Sequence, residues 1–208
     1  LGSSAVGLYS ATYNVINGVA GLLAAPVSFA AFPIIMRLWA EGRVRDTQNM
    51  ISEMTAWYGL LATWLVGEIA LVGEDVLALV LGPEFRAGWV IALPVIMGLG
   101  FWHASMLGHK SLEISEQTEL MARLAVGAAV FNVAANLVAV PRYGIEGAAW
   151  TTLVSYLLYC VLVWVASSRR RVQWQIPWQA FGVMAVAGLL GFAVADRLQV
   201  SGCLGILL

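Results

Sequence analysis

Few residues of this sequence carry groups that could do chemistry, and those that do lie mostly inside long apolar runs. Glu68 is a carboxylate in the second predicted span, near 49–72, just after the charge-free run 54–67. In such a setting it is either a proton- or ion-coupling group within a membrane or a side chain reaching the interface, since Gly73-Glu74-Asp75 follow closely. His103 lies in the middle of a later run, where it would serve as a proton relay or as a hydrogen-bonded packing residue. His103 and His109 lack the four-residue spacing that puts two imidazoles on one helix face, and no carboxylate stands at ligand spacing, so neither a metal nor a cofactor is expected. Cys160 and Cys203 both sit in apolar surroundings and read as packing residues rather than a disulfide. No nucleophile–base pair, phosphate-cradling glycine loop or carboxylate pair is present, so the sequence does not read as an enzyme.

The most informative pattern is uncharged. Ser10, Asn14, Asn17, Gly21, Ala24 or Ala25, and Ser28 recur at three- and four-residue steps, which gathers them on one stripe of a helix beside Tyr9 and Tyr13. Such a stripe either lines a water-accessible cavity or packs closely on another helix. Pro26 and Pro33 predict a kinked or tilted helix here, suited to bending. Further on, Ala125, Ala128 or Ala129, Asn132, Asn136 and Ala139 form one face, and Gly147, Thr151 and Ser155 form another. Only Pro141-Arg142-Tyr143-Gly144-Ile145-Glu146-Gly147 separates them, which predicts antiparallel neighbours packed through Asn132, Asn136, Gly144 and Gly147.

The composition says what must hold these residues. Of 208 residues, 61% are hydrophobic and only 11% are charged, too few charges to cover a globule in water. Mean hydropathy is +0.83. The net charge of −1 offers no overall basic field, so a nucleic-acid partner is not expected; a soluble enzyme and a disordered segment are excluded as well. What remains is an all-α, polytopic membrane bundle. Charge-free runs predict spans near 9–38, 49–72, 86–108, 119–140, 145–166 and 177–195, six in all, with a seventh starting near 199. Leu1 in place of Met, and an apolar run still open at Leu208, read as a piece of a longer chain.

Basic residues set an orientation. Arg37, Arg43 and Arg45 flank the first connection, Lys110 and Arg123 the third, and Arg169, Arg170 and Arg171 form the fifth, while the alternate side holds only Arg86, Arg142 and Arg197. The first, third and fifth connections are therefore expected to be cytoplasmic and the N-terminal end external. Trp39, Trp57, Trp89, Trp164, Trp174 and Trp178 fall near span ends, where interfacial anchors belong. The run Arg169–Arg171 reads as a topology anchor or as a lipid-binding patch.

Three stretches resemble a known family. The segment from Asn132 and Asn136 through Pro141, Tyr143, Gly144, Gly147, Ala148 and Ala149 is similar to the N-x-x-x-N…P-x-(Y/F)-G-x-x-G-A-A motif of bacterial polysaccharide flippases in the multidrug/oligosaccharidyl-lipid/polysaccharide exporter superfamily. Val6-Gly7-Leu8-Tyr9-Ser10-Ala11 resembles the start of that family's eighth helix, and Asp75 to Ala87 resembles its short outer segment. The resemblance covers most of residues 5–165 in the right order.

It implies a transporter of twelve or fourteen helices in two bundles around a central cavity, with this chain as the C-terminal bundle and seven helices upstream. Seven is odd, so a cytoplasmic N-terminus agrees with the charge-derived orientation. The implied substrate is a polyprenyl-diphosphate-linked oligosaccharide, moved across the bacterial cytoplasmic (inner) membrane by alternating access. Implied partners are that lipid-linked oligosaccharide, membrane lipids and the missing N-terminal bundle. Candidate cavity residues are then Tyr9, Ser10, Tyr13, Asn14, Asn17, Ser28 and Arg37, with Glu68 and His103 as possible ion-coupling groups. Where relatives often carry a basic residue this chain has Asn14, which leaves Arg37 the nearest cation. The alternatives are a drug/cation antiporter of the same superfamily, expected to carry an acidic residue in its cavity, and a membrane-embedded sugar or acyl transferase, expected to carry a catalytic His or acidic pair.

Overall fold

The computed structural model describes residues 2–197; Cys203 and the segment expected to start near 199 lie outside the described residues. The chain forms α1 (Ser3–Ala40), α2 (Val44–Leu81), a 3₁₀ turn (Pro83–Gly88), α3 (Trp89–Ile114), α4 (Thr118–Ser167) and α5 (Trp178–Arg197), with no strand among the described residues. Three segments, Ser3–Ala40, Pro83–Ile114 and Thr118–Ser167, are long and apolar enough to cross a membrane. In hydrocarbon a backbone amide has no water to bond, so helices that satisfy their own amides are the accessible structure. Both α1 and α2 run 38 residues. That is about 57 Å at ~1.5 Å per residue, well beyond a ~30 Å hydrocarbon core. α1 is helical from Ser3 to Ala40 across both Pro26 and Pro33.

The turns are closed by backbone geometry. After α1, Gly42 takes φ 73°, its N–H donates to the Trp39 carbonyl, and the Arg43 N–H donates to Leu38. These two hydrogen bonds satisfy carbonyls that would otherwise end the helix unpaired. After α3 the same arrangement recurs with Glu116 at φ 55°, where Gln117 N–H donates to Leu112 and Glu116 N–H to Glu113. Glu116 therefore occupies a left-handed position that a side chain adopts only at a cost.

α4 is two helices that meet at Gly144, whose φ of 58° and ψ of −135° break the helical path. The hydrogen bonds across the break define the fold. Asn132 Nδ2 donates to Ser155 Oγ at 3.0 Å, and Thr151 Oγ1 donates to Asn136 Oδ1 at 2.8 Å. In a straight helix Asn132 and Ser155 would stand about 35 Å apart. The two pairs share one centre of reflection, between Tyr143 and Gly144, so the legs (residues 118–143 and 145–167) run antiparallel. Gly147 makes the approach possible, because a Cβ there would lie 2.7 Å from the Ala139 carbonyl oxygen.

The other helices pack on the second leg and on α3. α3 lies along α4, α1 packs against α2 and α3, and α5 rests on α2. Gly98 sits against the Leu153 backbone, its imagined Cβ 3.2 Å from the Leu153 Cα. One buried cluster joins Ile16 and Ala20 of α1 to Leu65, Ile91, Val95, Leu99 and Ala149. A second, at the opposite end, joins Ile35, Ile51, Leu112, Tyr159 and Val163 to Val172 and Trp174. Trp174 is thus no interfacial anchor: it is 2% exposed and its Nε1 donates to Thr55 Oγ1 at 2.9 Å. Burial of the indole inside the bundle overrides the preference of Trp for an interface.

Two substitutions test these turns in opposite directions. Gly144→Ala should destabilise the protein by about 1–3 kcal/mol, because the left-handed backbone is retained with a Cβ added. Glu116→Gly should stabilise it by about 1 kcal/mol by removing the same conflict. Thermal unfolding of the purified protein in detergent reads both; equal midpoints for the two variants would refute this account of the turns.

Candidate functional site

The groove with the best-placed polar groups opens between α1, α3 and both legs of α4, with a volume of about 500 Å³. On α1, Tyr9 and Tyr13 stand one turn apart with their rings stacked, centroids 6.0 Å apart and planes 17° apart. The Tyr13 hydroxyl bonds the Tyr156 hydroxyl at 3.1 Å, which ties α1 to the second leg of α4. From α3, Trp102 places its ring 5.2 Å from Tyr156 and 5.4 Å from Tyr159. Tyr159 is fixed in turn by His109, whose Nε2 lies 2.6 Å from its hydroxyl. Asn132, Thr152 and Ser155 complete the wall, and Ala125, Ala128 and Ala129 of the first leg leave the space open.

Two features decide what this groove can do. Its lining contains no Asp, Glu, Lys or Arg, so it offers no counter-charge to an ion. It also presents flat aromatic faces next to hydroxyl and amide groups. Such a wall suits a neutral ligand with both apolar faces and polar edges, and a volume in this range takes a small organic group. The Asn132 amide already donates to Ser155, and its oxygen accepts from Asn136 Nδ2 at 3.0 Å, so the polar floor is held rigid by the α4 hairpin. Among the described residues no three His, Cys, Asp or Glu gather as a metal site would require.

The sequence-predicted residues separate into several places. Tyr9, Tyr13 and Asn132 line the groove. Ser10, Asn14 and Asn17 are exposed on a neighbouring face of α1 outside it, and Ser28 is half-buried farther along the same helix. Arg37 lies at the far end of α1, exposed, with its Nε 3.8 Å from Glu41. Glu68 is half-buried on α2 and away from the groove. His103 Nε2 is buried without a hydrogen-bond partner, and its ring is 6.3 Å from that of Tyr58; the imidazole that does bond a tyrosine is His109. Asn136, Gly144 and Gly147 belong to the hairpin that positions the floor. Trp102, Thr152, Tyr156 and Tyr159 were not singled out from sequence. The last three recur at three- and four-residue spacing on the second leg, the same signal that marked α1.

The chain is similar to two proteins of the archaeon Haloferax volcanii. It is 28% identical over 193 residues to the probable flippase AglR, which covers 89% of this chain and 39% of that protein. It is 24% identical over 194 residues to the probable low-salt glycan biosynthesis flippase Agl15, with 91% of this chain and 41% of that protein covered. Both relatives are named flippases, transporters rather than enzymes. The chain spans about two fifths of the length of these curated relatives. The sequence resemblance was to bacterial members, whereas these relatives are archaeal. No family model matches the chain, and no solved structure matches it.

Tyr13→Phe isolates the contact that joins α1 to the α4 hairpin. The ring stays and one hydroxyl pair is lost, so stability in detergent should fall by about 1 kcal/mol. The matching Tyr156→Phe change should cost the same, and the double variant no more than either alone. Additive losses would show that the two hydroxyls do not act as a pair.

Proposed function

We propose that this chain is the second helical bundle of a membrane flippase that moves a lipid-linked oligosaccharide from the cytoplasmic to the outer leaflet of a prokaryotic cytoplasmic membrane. The observation that carries this reading is similarity along nearly the whole chain to two flippases, one of them named for glycan biosynthesis. In this reading α1, α2, α3, the two legs of α4 and α5 are six spans.

The geometry adds two supports. Arg171 lies over the Trp39 ring at 5.7 Å, and Ser111 donates to the Val172 carbonyl, which draws the first, third and fifth connections to one end of the bundle. Eight of the eleven basic residues flank those connections, as a single cytoplasmic face would require. Second, the uncharged aromatic groove suits the sugar portion of such a substrate, which cannot cross hydrocarbon unaided. The exposed stripe of Ser10, Asn14 and Asn17 would then face the first bundle across the transport path. Glu68 lies off the groove, so the ion-coupled antiporter reading gains nothing from the site.

The full-length protein that contains this chain should restore surface glycan to a flippase-deficient prokaryotic strain. Tyr9→Leu and Tyr156→Leu should lower that restoration about tenfold, a loss of ~1.4 kcal/mol at the limiting step. Wild-type protein that reaches the membrane yet restores nothing would remove the proposed function for that substrate.

A further inference from the structure

The connection between α4 and α5, residues 168–177, folds back against the end of the bundle as a strap. Ser111 Oγ donates to the Val172 carbonyl and Trp174 Nε1 to Thr55 Oγ1. The Trp174 ring lies where a Cβ on Gly108 would collide with it, so Gly108 is what admits the indole.

This strap opens with Arg169, Arg170 and Arg171, and their electrostatic situation differs from that of most cations nearby, exposed Arg45 being likewise without an ion pair among the described residues. Arg37 pairs with Glu41, Arg43 with Glu41 and Asp46, Lys110 with Glu113, and Arg123 with Glu119. Among the described residues, none of the three strap arginines forms an ion pair. Arg171 rests on the Trp39 ring instead. The Arg170 Nε is buried with no hydrogen-bond partner, a costly state for a charged donor unless an acceptor reaches it.

The other end of the strap walls a cavity of about 490 Å³ between α2, α3, the second leg of α4 and α5. Tyr58, Phe101, Trp164, Trp174, Trp178 and Phe181 dominate it, and no charged side chain lines it. Trp164 and Trp178 stand edge to face at 6.2 Å and are both exposed, as tryptophans at a membrane interface are. One strap therefore joins three unpaired guanidinium groups to an apolar slot. A free phosphate would leave the slot unused, and an uncharged hydrocarbon would leave Arg170 unsatisfied.

We infer that the strap and this cavity bind an anionic membrane phospholipid, its headgroup phosphate on Arg169–Arg171 and one acyl chain in the aromatic slot. Guanidinium forks hold phosphate oxygens bidentately, and a cavity walled by aromatic and aliphatic side chains adds apolar burial. The site is separate from the groove on the other side of α3, and it stands whether or not the protein is a flippase.

Tryptophan quenching by brominated lipids tests it with the full-length protein reconstituted in phosphatidylcholine vesicles. At equal mole fraction, dibrominated phosphatidylglycerol should quench more than dibrominated phosphatidylcholine, giving a relative binding constant several-fold above one. Replacing Arg169, Arg170 and Arg171 together by Gln should bring that ratio to about one, and replacing them by Lys should retain only part of it, since the charge stays and the bidentate fork is lost. Gly100→Leu, at a glycine that lines the slot with open space at its Cβ position, should lower quenching by both lipids. A wild-type ratio of one, or an undiminished ratio in the Gln variant, overturns the inference. A preference for polyprenyl phosphate without any for phosphatidylglycerol overturns it as well, because the strap would then hold the transport substrate.

Discussion

The structure depends on how the α4 hairpin satisfies its own polar groups. Side-chain amides and hydroxyls inside hydrocarbon must find partners within the protein, and Asn132, Asn136, Thr151 and Ser155 find them in one another. Each pair fixes the register of the two legs, since sliding one leg by a turn would leave an amide unpaired. The register in turn aims the second leg. With Asn132 facing Ser155, the adjoining face turns Leu153 toward Gly98 of α3 and sends Tyr156 to Tyr13. The groove is thus built on the hairpin: loosening the Asn ladder would move the wall formed by Tyr156 and Tyr159 and, with it, the hydroxyl contact that holds Tyr13. Gly147 is the steric condition for all of this, because the legs touch backbone to backbone beside it.

Charge does different work here. Apart from the half-buried Lys110–Glu113 pair, the ion pairs at the basic end are exposed, Arg123 and Glu119 at 71% and 80%, so water screens them and they contribute little to stability. Their placement matters more than their strength. They concentrate where the first, third and fifth connections meet, while Arg86 with Glu74 and Asp75 marks the opposite end. Neutral pairs of this kind leave the three strap arginines, together with Arg45, as the unpaired positive charge of their face among the described residues, although the whole chain is nearly neutral.

Much of this architecture was legible in the sequence, for reasons that are local. Long charge-free runs mark helices without any knowledge of neighbours, and the Pro141–Gly147 segment announces a reversal through its glycines and its shortness. What failed were properties decided across the fold. Trp174 has the composition and position of an interfacial anchor; only Gly108 and Thr55, both distant in sequence, make it a buried plug. The α1 pattern was read as one surface, yet Tyr13 and Asn14 point about 100° apart on a helix. One of those directions meets Tyr156, while the other leaves Asn14 exposed. Periodicity groups residues by angle but does not say which neighbour waits at each angle. Trp102 was invisible for the same reason, being one aromatic in an apolar run until Tyr156 and Tyr159 were placed beside it.

The neutrality of the groove constrains how a charged lipid-linked sugar could use it. A diphosphate moved from water into a wall of tyrosine, tryptophan and asparagine would lose its hydration and gain no counter-charge, a penalty of many kcal/mol. A sugar ring loses far less, because its hydroxyls meet hydroxyl and amide groups and its flat carbon faces meet aromatic ones. Under the proposed function the groove therefore selects for the glycan. The diphosphate must be held by cations outside it, on the first bundle or near the membrane face, where water still screens the charge. Such a division lets one bundle grip the part of the substrate that differs between glycans while the part common to all carriers is held elsewhere. In that arrangement the absence of charge from the groove is a condition of its specificity, since a cation there would bind every phosphorylated carrier, glycosylated or not.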